Sequence, residues 1–291
     1  MTDTSDSKKQ TVVKILMAIV VVGLVGGGFY FVHNLDRETT DDAYIEGRIH
    51  IVAPKVSGTV LKVNVEDNQL VKKGDLLVEI DPVDYELKVN EAAANLDIRK
   101  ATLEQALRDR DRAASLFEAK VIPKEKYENA LTTYNLSSAQ VAAAEHQLSI
   151  SKQNLQYASI YASADGYITK KSVEIGNQVN ADQPLMAIIV LSDIWLTANY
   201  KETQLKNVKK GQKVLIKVDT YPGKIFTGRV DSIMAGTGAA FSLFPPENAL
   251  GNYVKVVQRI PVKIILDKNT DQDHILRIGM SCIATILTKH E

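Results

Sequence analysis

Two kinds of hydrophobic periodicity divide the chain. Around residue 60, apolar side chains such as Leu61, Val63 and Val65 alternate with polar ones, which is the period of half-buried β-strands. From residue 83 to residue 157 the apolar side chains recur at seven-residue intervals, which is the period of a coiled coil. Alternation returns after residue 194. The pattern predicts strands, then long helices, then strands, and therefore an elongated α+β protein.

The helical part, residues 82–158, is predicted to be an antiparallel coiled-coil hairpin. Asp81 and Pro82 suit the start of a helix, and Pro123 separates two runs that contain no other proline and no glycine. Arg110 interrupts the first apolar row, and the second row is complete. The predicted seam positions are Val89, Leu96, Leu103 and Phe117 in the first helix, and Tyr127, Tyr134, Val141, Leu148 and Leu155 in the second.

The β segments on either side of this hairpin repeat one pattern. A shift of 108 positions aligns them without a gap and matches Gly58 with Gly166, Val60 with Ile168, Val65 with Val173, Val71 with Val179, and Leu77 with Leu185. A hairpin returns the chain to the place that it left, so the two halves can pair with each other. Residues 44–81 and 159–191 are therefore predicted to form one small β-module, with Ile80 close to Ser159.

Residues 192–291 are predicted to form a small antiparallel β-barrel, because short alternating segments such as Val214, Ile216 and Val218 are separated by turn residues. Cys282 lies in an apolar run and is predicted to be a buried hydrophobic residue. A long apolar loop follows residue 234 and is predicted to contact a partner or to cover the barrel mouth. Its candidate contact residues are Phe241, Phe244, Asn248 and Asn252.

Residues 15–32 are uncharged and mostly apolar, and as a helix they would span about 27 Å, close to the thickness of a bilayer core. Lysines precede this stretch, so the positive-inside rule predicts a cytoplasmic tail of residues 1–14, with the chain beyond residue 32 exported. Residues 33–43 are predicted to be a connector. Gly23 and Gly27 have the spacing at which membrane helices pack together. A cleaved signal peptide is the alternative, and the length of the stretch disfavours it.

The composition narrows the function. Lys plus Arg and Asp plus Glu both number 35, and a net charge of zero argues against a nucleic-acid partner. The five histidines lack metal-ligand spacing, and the acidic turn after Leu266 lacks the glycine and the final glutamate of an EF-hand. No nucleophile motif or phosphate-binding loop is present. The sequence predicts a protein without catalytic residues, cofactor or metal.

The paired β segments resemble a lipoyl or biotinyl carrier module. In such carriers a modified lysine lies in the turn between the halves, where this chain reads "EIDPVDYE" and continues into a helix, so a carrier role is disfavoured. The order of anchor, split module, hairpin and barrel resembles the membrane fusion proteins of the HlyD/EmrA type. The stretches "FPPENALGNYVKVVQRIPVKIIL", "TTDDAYIEG" and "VSGTV" carry the same resemblance.

This resemblance implies a non-catalytic periplasmic adaptor of multidrug efflux, anchored in the inner membrane. Its partners would be an inner-membrane exporter, a TolC-like outer-membrane channel, and further copies of itself in a ring of three or six. A major-facilitator exporter is favoured, and an ABC transporter of a type I secretion system is the alternative. The hairpin tip would contact the channel through Arg112, Leu116 and a third position, where Pro123 replaces the serine of the family. From other classes of function, a membrane-tethered scaffold and a carrier-type subunit remain as alternatives.

Overall fold

The computed structural model describes residues 37–241, 256–268, 270–271 and 273–288. It divides into two compact units: one is Ile49–Val190, and the other combines the chain up to Arg48 with the chain from Leu191 onward. The helices are α1 (Val83–Glu118) and α2 (Lys124–Tyr157). In chain order the strands are β1 (Arg37–Val52), β2 (Gly58–Val63), β3 (Leu70–Val71), β4 (Leu76–Ile80), β5 (Ser159–Tyr161), β6 (Gly166–Thr169), β7 (Gln178–Val179), β8 (Met186–Lys201), β9 (Lys213–Val218), β10 (Ile225–Ile233), β11 (Arg259–Leu266) and β12 (Ser281–Leu287).

The start of the hairpin agrees with the prediction. Asp81 Oδ1 accepts a hydrogen bond from the Val83 N–H at 3.1 Å, and Pro82 has helical angles of φ −82° and ψ −11°. The Pro82 carbonyl accepts the Glu86 N–H at 2.8 Å, which is the first bond of the helical ladder. The aspartate therefore caps α1, and the proline occupies the first turn, where its missing N–H leaves no backbone bond unmade.

The predicted heptad positions form the contact between α1 and α2. Leu96 of α1 and Val141 of α2 are buried in one cluster between the helices, and Leu103 and Leu148 pack against this cluster. The polar residue in the first row also has a seam partner. Arg110 places its guanidinium carbon 4.4 Å from the centre of the Tyr134 ring, a cation–π contact that fills the gap in the apolar row.

The β-module is completed across the hairpin, as the repeat predicts. The N–H of Ile80 donates to the carbonyl of Ala158 at 2.8 Å, and Glu79 of β4 pairs with Ser159 of β5. The two halves are also joined by two equivalent strand pairings. Gly58 pairs with Val179 between β2 and β7, and the corresponding residues Val71 and Gly166 pair between β3 and β6.

The turns of the module repeat as well. Asn68 and Gly176 both have positive φ angles, 65° and 85°, and stand 108 positions apart. Gly74 and Asp182, at 94° and 63°, form a second such pair. Glycine, asparagine and aspartate are the residues that adopt this left-handed conformation at the lowest cost. The repetition of side chains along the sequence thus corresponds to a repetition of backbone conformation.

One detail of the predicted strand pattern is wrong. The alternation predicts Leu61 on the buried face with Val63 and Val65, but its side chain is 44% exposed, whereas Val60 is 1% exposed. The pairing of β2 with β4 shifts register between Val60 and Lys62. Such a bulge changes the side of the sheet to which the following side chains point.

Six of the described strands form a barrel in the second unit. The pairing order is β1, β12, β9, β10, β11 and β8, and a further pairing between β8 and β1 closes it. Val214, Ile216, Val218 and Ile264 point into its core at 2% exposure or less, as the alternation predicts. Cys282 is buried in the same core, and burial, with a smaller effect of Asp219, raises the pKa of its thiol to about 12.

The predicted connector over residues 33–43 is wrong in its second part, because β1 begins at Arg37. Although this segment is polar, it pairs with β12 as an antiparallel strand, with Arg37 opposite Leu287. The Thr40 hydroxyl is buried and donates to the carbonyl of Asn199 at 2.7 Å. The barrel is predicted to lie within residues 192–291. Its first strand, β1, instead comes from the part of the chain that precedes the β-module.

Candidate docking site at the hairpin tip

The turn between α1 and α2 has a defined hydrogen-bond pattern. The Lys120 N–H donates to the Phe117 carbonyl at 2.9 Å, and the Val121 N–H donates to the Leu116 carbonyl at 2.8 Å. Lys120 itself has a φ of 58°. These are the two bonds and the left-handed residue of a Schellman motif, with lysine at the position that usually holds glycine. Pro123 then has an extended conformation, and α2 begins at Lys124.

Replacing Lys120 with glycine is expected to stabilise the tip by about 1 kcal/mol, because glycine adopts a positive φ without the steric cost of a Cβ atom. The neighbouring Ala119 has a φ of −74°, so Ala119→Gly is the matched control and should destabilise the tip by a similar amount. Amide hydrogen exchange of residues 116–121 measures both changes. Stabilisation by both variants, or by neither, would contradict the assigned motif.

The structure places the predicted contact residues on the exposed surface of this tip. Arg112 is one turn before Leu116 on α1, and its Nη1 lies 3.5 Å from Asp109 Oδ1. Its side chain is 72% exposed, so this ion pair contributes little stability and leaves the guanidinium accessible. Leu116 is 37% exposed, and Pro123 is also exposed.

Val121 is a tip residue that the sequence analysis missed. It is 66% exposed, more than Leu116, and lies in the short turn between the helices. The available signal was the apolar pair in "KVIPK" at a position where turns are normally polar. Together, Leu116 and Val121 give the tip an apolar surface beside the charge of Arg112. The apolar side chains of Leu116 and Val121 are therefore in contact with solvent at the tip.

The side chains behind the tip hold it in place. Phe117 and Tyr127 stack with ring centroids 5.5 Å apart and planes inclined by 6°. The contact of Arg110 with Tyr134 lies further along the same seam. Aromatic side chains have few rotatable bonds, so a tip supported in this way loses little conformational entropy when a partner binds.

The root of the hairpin is fixed to the β-module by side chains of both helices. The Tyr85 hydroxyl of α1 donates to the carbonyl of Ser57, and the Lys55 ammonium lies 4.4 Å from the ring centre of Tyr157 of α2. A tyrosine hydroxyl is protonated at neutral pH and can donate, and burial, with a smaller contribution from Asp84, raises the pKa of Tyr85 further. These contacts set the direction in which the hairpin leaves the module.

Of the other predicted site residues, only Phe241 lies within the described residues. Phe241 ends a short 3₁₀ helix, Gly238–Phe241, at the start of the long barrel loop. Phe244, Asn248 and Asn252 lie outside the described residues, as do Gly23 and Gly27 of the predicted anchor. In the part of the chain that the structure describes, no helix combines the length and the apolarity needed to cross a membrane.

In the described residues, clustered metal ligands and clefts are the places where chemistry could occur. Across these ranges, no three His, Cys, Asp or Glu side chains come together as a metal site would require. An open polar cleft of about 450 Å³ lies at the root of the hairpin, lined by Asp81, Asp84, Tyr85 and Lys88 among others. The Tyr85 hydroxyl in this cleft donates to the Ser57 carbonyl, and Asp81 Oδ1 accepts the Val83 N–H, so both side chains have partners within the fold.

Models of known protein families match residues in both units. Residues 48–191 match the family described as RND MFP, barrel-sandwich hybrid domain, and residues 193–240 match the CusB-like β-barrel domain. The fatty acid resistance protein FarA of Neisseria gonorrhoeae is 37% identical over 86% of this chain and 75% of its own length. The probable multidrug resistance protein EmrK of Escherichia coli is 34% identical over 98% and 86%, and the multidrug export protein EmrA of the same species is 32% identical over 90% and 79%.

Solved structures agree in fold. A MacA–MexA chimeric protein that contains the α-hairpin domain of Pseudomonas aeruginosa MexA has a TM-score of 0.61 and 27% identity, over 87% of this chain and 82% of its own. The membrane fusion protein Spr0693 of Streptococcus pneumoniae has a TM-score of 0.66 at 16% identity, over 87% and 99%. The two matched domain models, and more than 30% identity to EmrK and EmrA over nearly the whole length, show that this chain belongs to the EmrA-type membrane fusion proteins.

Proposed function

We propose that this protein is the periplasmic adaptor of a multidrug efflux system and joins an inner-membrane exporter to a TolC-like outer-membrane channel. The observation that carries this proposal is the hairpin tip, where Arg112, Leu116 and Val121 are exposed at the end of a helical pair fixed at its root. The relatives named for multidrug export and resistance support the assignment to efflux. The exporter is proposed to be of the major-facilitator type, as the EmrA resemblance implies.

In this proposal the protein acts by holding the exporter and the channel together, and it carries out no covalent chemistry. Residues 15–32 anchor each copy in the inner membrane, and Gly23 and Gly27 allow neighbouring anchors to pack. Three or six copies assemble as a ring, so the hairpin tips form a circle that matches the rotational symmetry of a channel. The barrel loop with Phe241, Phe244, Asn248 and Asn252 contacts the exporter, because it joins two strands of the unit that follows the anchor.

Site-specific photo-crosslinking tests the tip assignment. A photoreactive amino acid at Leu116 is expected to trap an outer-membrane channel in living cells. The same amino acid at Leu136, an exposed leucine (59%) of α2, is the matched control and should trap much less channel. Equal yields at the two positions, or none at Leu116 in cells that export the drug, would contradict channel contact through the tip.

A further inference from the structure

One end of the barrel carries an unusual combination of exposed lysine and apolar side chains. Pairing places the beginning of β1 at this end, since Arg37 lies opposite Leu287, and the Gln204 side chain donates to the carbonyl of Thr39 at 3.1 Å. Arg259 lies opposite Lys201 at the same end. We call this surface the lysine end. It comprises Arg37, residues 201–213, residues 233–234, residues 256–259 and Leu287.

The charge of residues 201–213 within the lysine end is strongly biased. Residues 201–213 include five exposed lysines and a single acidic residue, Glu202; the lysines are Lys201, Lys206, Lys209, Lys210 and Lys213. Two cations of this end are balanced by carboxylates, because Lys210 Nζ lies 3.5 Å from Asp231 Oδ1 and Arg259 pairs with Asp42. The described loops at the opposite end carry charges of both signs, with the acidic residues Asp219, Asp267, Asp271 and Asp273 and the basic residues Lys224, Lys268 and Arg277.

Apolar side chains accompany these lysines. Met234 is 50% exposed, Val256 64% and Val257 51%, and Ile233 beside them is 38% exposed. The backbone fixes their place at this end, because the Met234 N–H donates to the Pro261 carbonyl at 2.9 Å and the Glu202 N–H donates to the Gln258 carbonyl at 2.9 Å. Exposed apolar side chains surrounded by lysine are the combination that binds the interface of a membrane with anionic lipids.

The start of β1 at this end of the barrel is close in sequence to the predicted membrane anchor. Only residues 33–36 separate the apolar stretch 15–32 from Arg37. At about 3.3–3.6 Å per residue, this short link spans at most about 18 Å. If the anchor crosses the bilayer as proposed above, the start of β1 lies within this distance of the lipid surface. The opposite end of the barrel is separated from Arg37 by the length of the strands.

We propose that the lysine end docks on the leaflet from which the anchor emerges. The lysine ammonium groups bind the phosphates of anionic phospholipids, and Met234, Val256 and Val257 enter the interfacial layer. The inference rests on the proposed anchoring of residues 15–32, and it adds a second membrane contact that orients the barrel. Because the contact is largely electrostatic, it depends on the headgroup charge and on the salt concentration.

Fluorescence quenching in nanodiscs tests this contact with the full chain. A bimane dye is attached at Met234→Cys, and at Thr220→Cys as the matched site at the opposite end. Cys282 is 1% exposed and should not react, which labelling of the unmutated chain checks. The lipids carry a nitroxide quencher on the headgroup, and discs of phosphatidylcholine alone are compared with discs that contain phosphatidylglycerol.

Quenching at position 234 is expected to exceed that at position 220 several-fold in the anionic discs. It should fall to the level of position 220 at high salt, and also when Lys201, Lys206, Lys209 and Lys213 are replaced together by glutamine. Replacement of the same four lysines by arginine should preserve it. Equal quenching at both sites, or quenching that does not depend on the lipid charge, would overturn the proposal.

The same preparation separates this proposal from the proposed function. Co-migration of the chain with the discs during size exclusion reports on the anchor. A chain that co-migrates but shows no quenching at position 234 overturns only the lipid contact. A chain that does not co-migrate contradicts the anchoring on which the adaptor function depends.

Discussion

Gly166→Ala is expected to lower the free energy of unfolding by about 3 kcal/mol, because the added methyl group would overlap the backbone of a neighbouring strand. A Cβ at this position would lie 2.4 Å from the Ile189 carbonyl oxygen and 2.8 Å from Ile188 Cγ2. The oxygen belongs to β8, which pairs with β6 through Tyr167 and Ile189, so it cannot move without breaking that pairing. Denaturant unfolding followed by far-ultraviolet circular dichroism measures the loss.

Two other glycines serve as controls for this prediction. Gly238 has no atom within 4 Å of the position of a new Cβ, so Gly238→Ala should change the stability by less than about 0.5 kcal/mol. Gly58, the repeat partner of Gly166, would place its Cβ 2.5 Å from Ile80 Cγ2, a methyl group of a fully buried β-branched side chain that can move little, but more than a paired backbone carbonyl. Gly58→Ala should therefore have an intermediate cost. A loss for Gly166→Ala no larger than for Gly238→Ala would contradict the close approach of β6 and β8.

Val121→Asp is expected to abolish drug export while leaving the protein folded. At a docked tip, the substitution would bury an unpaired carboxylate against the channel, which costs several kcal/mol and reduces binding by at least about a hundredfold. In the free protein the side chain is 66% exposed, so the charge remains in water and the helices are unaffected. Drug susceptibility of cells and co-purification of the channel are the two measurements.

Ile175→Asp is the matched control, because Ile175 is also β-branched and 66% exposed but lies in a turn of the β-module. It should leave both drug export and channel co-purification near the level of the unmutated protein. If the two variants lose export equally, the tip has no special role. If Val121→Asp exports normally and still recovers the channel, Val121 is not part of the docking surface.

Local periodicity is sufficient to predict the hairpin and the split module. The pattern predicts helices from Val83 to Lys120 and from Lys124 to Tyr157, and α1 and α2 agree within two residues. The seven-residue interval identifies the seam directly, because 3.5 residues per turn keep the same face toward the partner helix. The 108-residue repeat identifies side chains that are buried together in one core, such as Val60 with Ile168 and Leu77 with Leu185.

The features that the sequence did not predict depend on contacts between distant segments. The polar stretch from Arg37 to Thr40 becomes a strand because β12 and β8, more than 150 residues away, supply its hydrogen bonds. The exposure of Val121 depends on where α1 ends and α2 begins, which apolar patterning locates only to within a few residues. The lysine end likewise joins segments that are dispersed along the chain, so no local motif marks it.

The hydrogen bond between Ile80 and Ala158 has a consequence for how such proteins diverge. Both arms begin at this one junction, so their length is independent of the fold to which they are attached. Insertion of seven residues into each arm would extend the pair by about 10.5 Å and preserve the seam. The length of the hairpin can thus be adjusted in heptad increments while the β-module and the barrel keep their own structures.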